Sequence, residues 1–289
     1  MHVHDRFPHG LGWVPEYPDI RDYVSEHEKV RPLLERTAAR ATLRTGRKKP
    51  VPPKTVDLRE WCSPVEDQDS LGSCTANAAI GLVEYYQKRS FGTYVDASRL
   101  FVYKVTRNLL HWTGDTGAFL RTAMKALVVF GAPPEDYWPY TISDFDAEPP
   151  AFCYSFAANY KAIQYYRHDQ ASDSPEDVLA SIKNHLAAGH PSMFGFTVYN
   201  SIWEAEDGKI PYPSATDRVT GGHAVVAVGY DDSMKIGSKK GALLVRNSWG
   251  KDWGKQGYGW LPYAYVEEGL ADDFWSVISA DWVDTGKFK

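Results

Sequence analysis

Cysteine is scarce in this chain: Cys62, Cys74 and Cys153 are the only three in 289 residues. That count excludes a disulfide framework and leaves each thiol to be judged by its own surroundings. No apolar run approaches the roughly 18 residues of a membrane-spanning helix. There is no excess of basic charge either. With 32 Lys and Arg against 37 Asp and Glu the net charge is −5, where a nucleic-acid binder would show a basic face. The chain holds no P-loop, no dinucleotide fingerprint and no internal repeat. Its start, Met1-His2-Val3-His4-Asp5, lacks an apolar signal core, which points to the cytoplasm, to export by a signal-independent route, or to a sequence given without its signal. His2, His4 and His9 have no Cys or carboxylate at ligand spacing, so neither a metal nor another cofactor is expected.

What is present is ordinary for a soluble globular chain, with 43% apolar and 24% charged residues. The stretch Gln68-Asp69-Ser70-Leu71-Gly72-Ser73-Cys74 places a cysteine directly after a Gly-Ser pair. Beyond it Ala78, Ala79, Leu82, Val83 and Tyr86 recur at steps of three and four, which predicts a helix to about Arg89. Cys74 then lies in the first turn, where free amides and the helix dipole favour a thiolate. The competing reading is a small buried hydrophobe. Two later segments bear on the choice. His223 enters the apolar strand His223–Tyr230, and Asn247 sits at a strand end before Ser248-Trp249-Gly250. Cys, His and Asn in that order suit acyl transfer. The imidazole takes the thiol proton, and the carboxamide fixes the other ring nitrogen.

These motifs, with His223 lying 149 residues after Cys74, resemble those of the papain-like (C1 family) cysteine peptidases, in particular a bacterial branch whose nucleophile motif reads Gly-Ser-Cys-Thr. The resemblance covers about Val56 to the C-terminus. It implies Cys74 as nucleophile, His223 as general base and acid, and Asn247 as the orienting residue. It further implies Gln68 as an oxyanion donor and Trp249 as the indole covering the His–Asn bond. A thiolate–imidazolium pair is the expected resting state. The family's Gly-rich loop corresponds to Gly114, Asp115, Thr116 and Gly117, whose backbone would meet the substrate, while the side chain of Asp115 and His111 read as plain loop residues. Gly222 stands where many relatives carry Asp, and it joins Trp249 as an expected substrate contact. Secreted relatives pair a cysteine three before the nucleophile with one in the Gly-rich loop; Leu71 and the Gly114-Asp115 region stand there instead. Whether Cys62 and Cys153 pair is left open.

The implied fold is α+β with two lobes. A helical lobe spans about 56–140 and an antiparallel, barrel-like β lobe about 141–289, with the site in the cleft between them. Helices are expected over Ala97–Tyr103 and Leu120–Phe130 and from Ser174 to Gly189. Strands are expected over Ala158–Tyr166, Met193–Tyr199, His223–Tyr230, Ala242–Arg246, Gly257–Leu261 and Phe274–Ile278. Residues 1–55 read differently. An aromatic and proline-rich stretch over Gly12–Tyr23 precedes a helix candidate, Ser25–Arg44, striped by Val30, Leu33, Leu34, Ala38 and Ala41. A basic linker over 45–54 follows. The segment carries 11 Lys and Arg against 7 Asp and Glu, a net +4 that leaves −9 for the remainder. An oppositely charged arm suggests a propeptide or intramolecular inhibitor; the alternative is a structural extension. The expected substrate is a peptide or protein, with no nucleic-acid or membrane partner. Two other readings of the whole chain are an amide hydrolase or acyl transferase on a small peptide-like substrate, and an inactive peptide-binding protein.

Overall fold

A computed structural model describes residues 9–36, 52–160 and 164–279. The linker over 45–51, Ala38 and Ala41 lie outside the described residues. Among those described, no helix is long and apolar enough to cross a membrane.

The helical half holds α1 (Cys74–Phe91), α2 (Arg99–Leu110), α3 (Leu120–Val129) and α4 (Ala151–Ala157). Every residue of α1 from Cys74 to Tyr86 is buried. A helix enclosed on all faces belongs in a core, and its small residues Ala76, Ala78, Ala79 and Gly81 allow close packing. Ser98 caps α2 by accepting from the Phe101 amide, which starts that helix two residues later than expected and lets it run further. α4 was not anticipated. Tyr154 on it packs edge-on against Phe101 and Phe130, so it rests on the helices although it follows residue 140 in the chain.

The β half is one open antiparallel sheet. Its strands are β1 (Thr55–Asp57), β2 (Gln164–Arg167), β3 (Ser192–Tyr199), β4 (Val219–Ile236), β5 (Lys239–Arg246), β6 (Tyr258–Pro262) and β7 (Ala271–Ile278). The order is β2-β7-β3-β4-β5-β6, with β1 paired to β4. β2 begins only at Gln164, because Ala158–Tyr160 winds into a short 3-10 turn. α5 (Pro175–Ala187) starts on Ser174, whose hydroxyl accepts from the Asp177 amide, and α6 (Ala264–Glu267) completes this half. Two apolar clusters lie on opposite faces of the sheet. α1, α2 and α3 share one with Ala224, Val226, Val228 and Val277. α5 shares the other with Phe194, Val225, Tyr230 and Phe274. Cys62 and Cys153 are free and buried.

Among the described residues of the expected helix, 25–30 are turns and bends and 31–36 is helical, so its first part does not form as the stripe suggested. Val30 still packs against Tyr166 and Ile278.

Glu84 of α1 ties the helices to the sheet. Its buried carboxylate accepts from the Ser63 hydroxyl at 2.5 Å and the Ala97 amide at 3.2 Å. Arg246, at the end of β5, donates to the same hydroxyl at 3.0 Å and to the Pro64 carbonyl at 2.6 Å. Burial pushes the Glu84 carboxyl up to about 7 from an ordinary 4.5. Between those values the folded chain holds a proton that the unfolded chain has lost. The resulting stabilisation is therefore complete below 4.5 and lost as pH rises to about 7. Glu84→Gln is expected to flatten this slope when thermal midpoints are measured across the interval; parallel curves for the two proteins would refute it.

Candidate active site

Cys74 is the first residue of α1 and is fully buried. The loop before it is held by groups from three other elements. The Asp115 carboxylate accepts from the Gly72 amide at 3.0 Å and from the Tyr103 hydroxyl. Tyr140 donates its hydroxyl to the Gln68 carbonyl at 2.9 Å, so at 2.6 Å it accepts from Ser73. Asp115 is thus more than the plain loop residue the sequence suggested: it sets where Gly72 lies.

On the sheet, β4 delivers His223 and the end of β5 delivers Asn247. His223 Nε2 and Asn247 Oδ1 are 2.7 Å apart. The same oxygen accepts from the Ser248 amide at 2.8 Å, which fixes the carboxamide orientation and makes Nε2 the protonated ring nitrogen. Nδ1 is then the free base; it is buried and has no hydrogen-bond partner. Trp249 stacks on the imidazole with centroids 4.5 Å apart and on Trp203 at 5.2 Å. The two halves meet through a short antiparallel pairing. Asp67 bridges Trp249, the Gln68 amide donates to the Ser248 carbonyl at 2.8 Å, and the Gly250 amide donates to Glu66 at 3.0 Å. Ser248 also donates its hydroxyl to Gln68 Oε1 at 2.6 Å, which turns Nε2 of that amide towards the cleft.

The cleft is filled by the chain's own residues 9–14. His9 stacks on Trp249 at 5.5 Å. The Gly10 carbonyl accepts from Gln68 Nε2 at 2.9 Å, while that nitrogen also donates to Leu71 at 2.8 Å. The Gly12 amide faces the Cys74 sulfur, together with the amides of Ala224 and Thr75. A Cβ at Gly12 would lie 1.7 Å from the Gly72 oxygen, so only glycine passes at this point. Trp13 donates its amide to the Gly222 carbonyl at 3.1 Å. Gly12 accepts from the Ala118 amide at 2.8 Å and Val14 donates to the Ala118 carbonyl at 3.1 Å, a parallel bridge. The Trp13 indole lies over Gly195 and Gly222, where any side chain would collide with it, and donates to Asp273 at 3.1 Å.

Of the expected loop contacts, Gly117 comes against Gly12. Gly114 has open space around its Cα, and Thr116 donates its hydroxyl to Gly117. The residue that pairs with the segment is Ala118, which carries no side-chain signal in the sequence. Gly222 makes its contact through its carbonyl. Ser248 and Asp273 were also missed; a serine beside the Asn and an acid in a late strand look unremarkable until the chain is folded.

Burial beneath the segment changes the charge state expected at a helix N-terminus. It pushes the Cys74 thiol up to about 11, the facing amides opposing it only in part, and it drives His223 down to about 4. Both shifts favour a neutral thiol and a neutral imidazole over the thiolate–imidazolium pair expected from the sequence.

Residues 52–274 match the family model described as papain family cysteine protease. An uncharacterized peptidase C1-like protein of Acanthamoeba polyphaga mimivirus is 33% identical over 283 residues, covering 92% of this chain and 86% of its own. Cathepsin K of Gallus gallus is 28% identical over 235 residues, 75% of this chain and 64% of the relative. Among solved structures, xylellain, a cysteine protease from Xylella fastidiosa, superposes with a TM-score of 0.75 at 34% identity, covering 94% of this chain and 97% of that one.

A carboxamide anchored by Ser248 and aimed beside a thiol can stabilise an oxyanion, and removing one such donor typically costs about 10²–10³ in rate. Gln68→Ala is expected to lower kcat/KM for a peptide substrate by about that factor. Ser248→Ala, which frees the amide without deleting it, should cost less. A Gln68→Ala protein with undiminished kcat/KM would show that other groups hold the oxyanion.

Proposed function

The chain belongs to the papain family of cysteine proteases, and we propose that it is a peptidase kept silent by its own N-terminal segment. Cys74 is the nucleophile in this reading. His223 Nδ1 takes the thiol proton, and the sulfur attacks the substrate carbonyl. The oxyanion is held by Gln68 Nε2 and the Cys74 amide. Collapse of the tetrahedral intermediate forms a thioester and passes the proton from His223 to the departing amine. Water, deprotonated by His223, then hydrolyses the thioester and restores the thiol. Asn247 keeps the imidazole in the tautomer that leaves Nδ1 free.

The observation that carries the inhibitory part is the path of residues 9–14. They run lengthwise between both walls, as a peptide would, and this supports a peptide-length cleft over a pocket for a small substrate. The Gly12 N–H, a donor and not an electrophile, is among the amides facing the sulfur. The Gly10 carbonyl meanwhile occupies the Gln68 donor. An open cavity of about 570 Å³ continues past His9 between Asp67, Trp249, Lys251 and Trp253, room for the far end of a substrate. The division near residue 55 fits a family match that begins at residue 52 and a β1 strand, Thr55–Asp57, already built into the sheet.

Gly12→Ala in the full-length chain tests this reading. A methyl group 1.7 Å from the Gly72 oxygen cannot be accommodated, so the segment should leave the cleft. Overpacking of about 1–3 kcal/mol shifts such an equilibrium by roughly 5- to 150-fold. Hydrolysis of a fluorogenic peptide should rise by that factor, and adding Cys74→Ala should abolish it. Equal turnover by the parent and Gly12→Ala would remove the inhibitory role; turnover surviving Cys74→Ala would remove the nucleophile.

A further inference from the structure

Beyond the cleft, the same segment is gripped by two arginines that catalysis does not use. Arg121, near the start of α3, pairs with both oxygens of Asp22 at 2.7 Å, with the Glu16 carboxylate and with the Tyr17 carbonyl at 2.8 Å. Arg167, at the end of β2, donates from Nη1 to the Glu16 carbonyl at 3.0 Å and from its backbone amide to Tyr23 at 2.7 Å. Both guanidinium groups lie over the buried Trp275 ring, 5.6 Å and 5.3 Å from its centroid. The two arginines differ in what would remain if the segment left. Arg167 keeps Asp169 at 2.8 Å and Asp273 at 3.1 Å. Arg121 loses Glu16 and Asp22, its ion-pair partners among the described residues, and keeps only the longer-range attraction of Asp273. Its side chain is 19% exposed with the segment docked, and departure of the segment would leave the guanidinium fork without its bidentate carboxylate.

We infer that the Arg121–Arg167 pair is an exosite for an acidic stretch of a peptide substrate, opened when the segment departs. Arg121 offers its planar fork to a carboxylate, and Arg167 offers a donor to a main-chain carbonyl three residues beyond the one seated in the Trp13 pocket. Glu16 and Asp22 stand in for the acids of that substrate. Trp275 holds both planes in place, so the site is built before any ligand arrives. The inference rests on the inhibitory reading, since the exosite is occupied while the segment is docked.

The test uses the full-length Gly12→Ala/Glu16→Gln/Asp22→Asn protein, in which the segment loses its fit over Cys74 and its acids together. Two fluorescein-labelled peptides serve as probes. One carries Glu and Asp at the spacing of Glu16 and Asp22, and the other replaces them with Gln and Asn. Fluorescence anisotropy should show the acidic peptide binding about tenfold more tightly. That preference should shrink with added salt and vanish when Arg121→Gln is added. Equal affinity for the two peptides, or no binding of either, would overturn the exosite. Turnover of a short neutral peptide by the same protein reports separately on release. Raised turnover with no acidic preference removes the exosite and leaves the inhibitory reading. Acidic preference without raised turnover keeps the exosite and removes the inhibitory one.

Discussion

The pairing of residues 66–68 with 248–250 is the constraint on which the site depends. Gln68 and Ser248 are 180 residues apart, yet they share a backbone hydrogen bond and a side-chain hydrogen bond. This contact brings the loop that precedes α1 against the loop that follows β5. It thereby fixes the Gln68 amide, the Asn247 carboxamide and the Trp249 indole relative to one another. His223 reaches the same point from β4 because its Nε2 must meet Asn247 and its ring must lie under Trp249. Each catalytic candidate rests on a regular element or on a loop tied to one, which gives the preorganisation that acyl transfer requires.

The covered state follows from the same geometry. A donor at Gln68, a carbonyl at Gly222 and a free edge at Ala118 form a track for an extended chain, and residues 10–14 satisfy all three. Backbone pairing gives affinity without demanding particular side chains. What is particular to this segment is steric: glycine at position 12, an indole at Trp13 that reaches Asp273, and acids at Glu16 and Asp22 that meet Arg121. Excluding water then keeps the thiol protonated and the imidazole neutral. Inhibition in this account has two layers, a blocked track and a nucleophile without charge.

Much of the site was legible because its signals are local. The Gly-Ser pair before Cys74, the apolar run after His223 and the Asn247-Ser248-Trp249 step each declare themselves within a few residues. The strands of the β half could be read from apolar runs, and α5 from Ser174 and Pro175. The path of residues 9–24 could not. Its partners lie far off in sequence, Trp13 and Asp273 being 260 residues apart, and nothing in an aromatic and proline-rich stretch says which surface it covers. The charge difference between the arm and the remainder pointed towards contact, but among the described residues the contact runs the other way: Glu16 and Asp22 are acids of a basic arm, held by arginines of an acidic body. Net charge averaged that away. Asp115 was misjudged for a related reason, since its partners Gly72 and Tyr103 are set by tertiary packing.

The central claim is that residues 9–14 silence Cys74 by covering it. The most direct measurement is the rate at which a thiol-directed epoxide alkylates Cys74, followed by peptide mapping across pH, in the full-length chain and in Gly12→Ala. The account predicts slow labelling of the parent at neutral pH, rising only as pH approaches the covered thiol's value of about 11. Gly12→Ala should label rapidly near neutrality, where an uncovered thiolate–imidazolium pair is populated. Equal and rapid labelling of Cys74 in both proteins at neutral pH would contradict it.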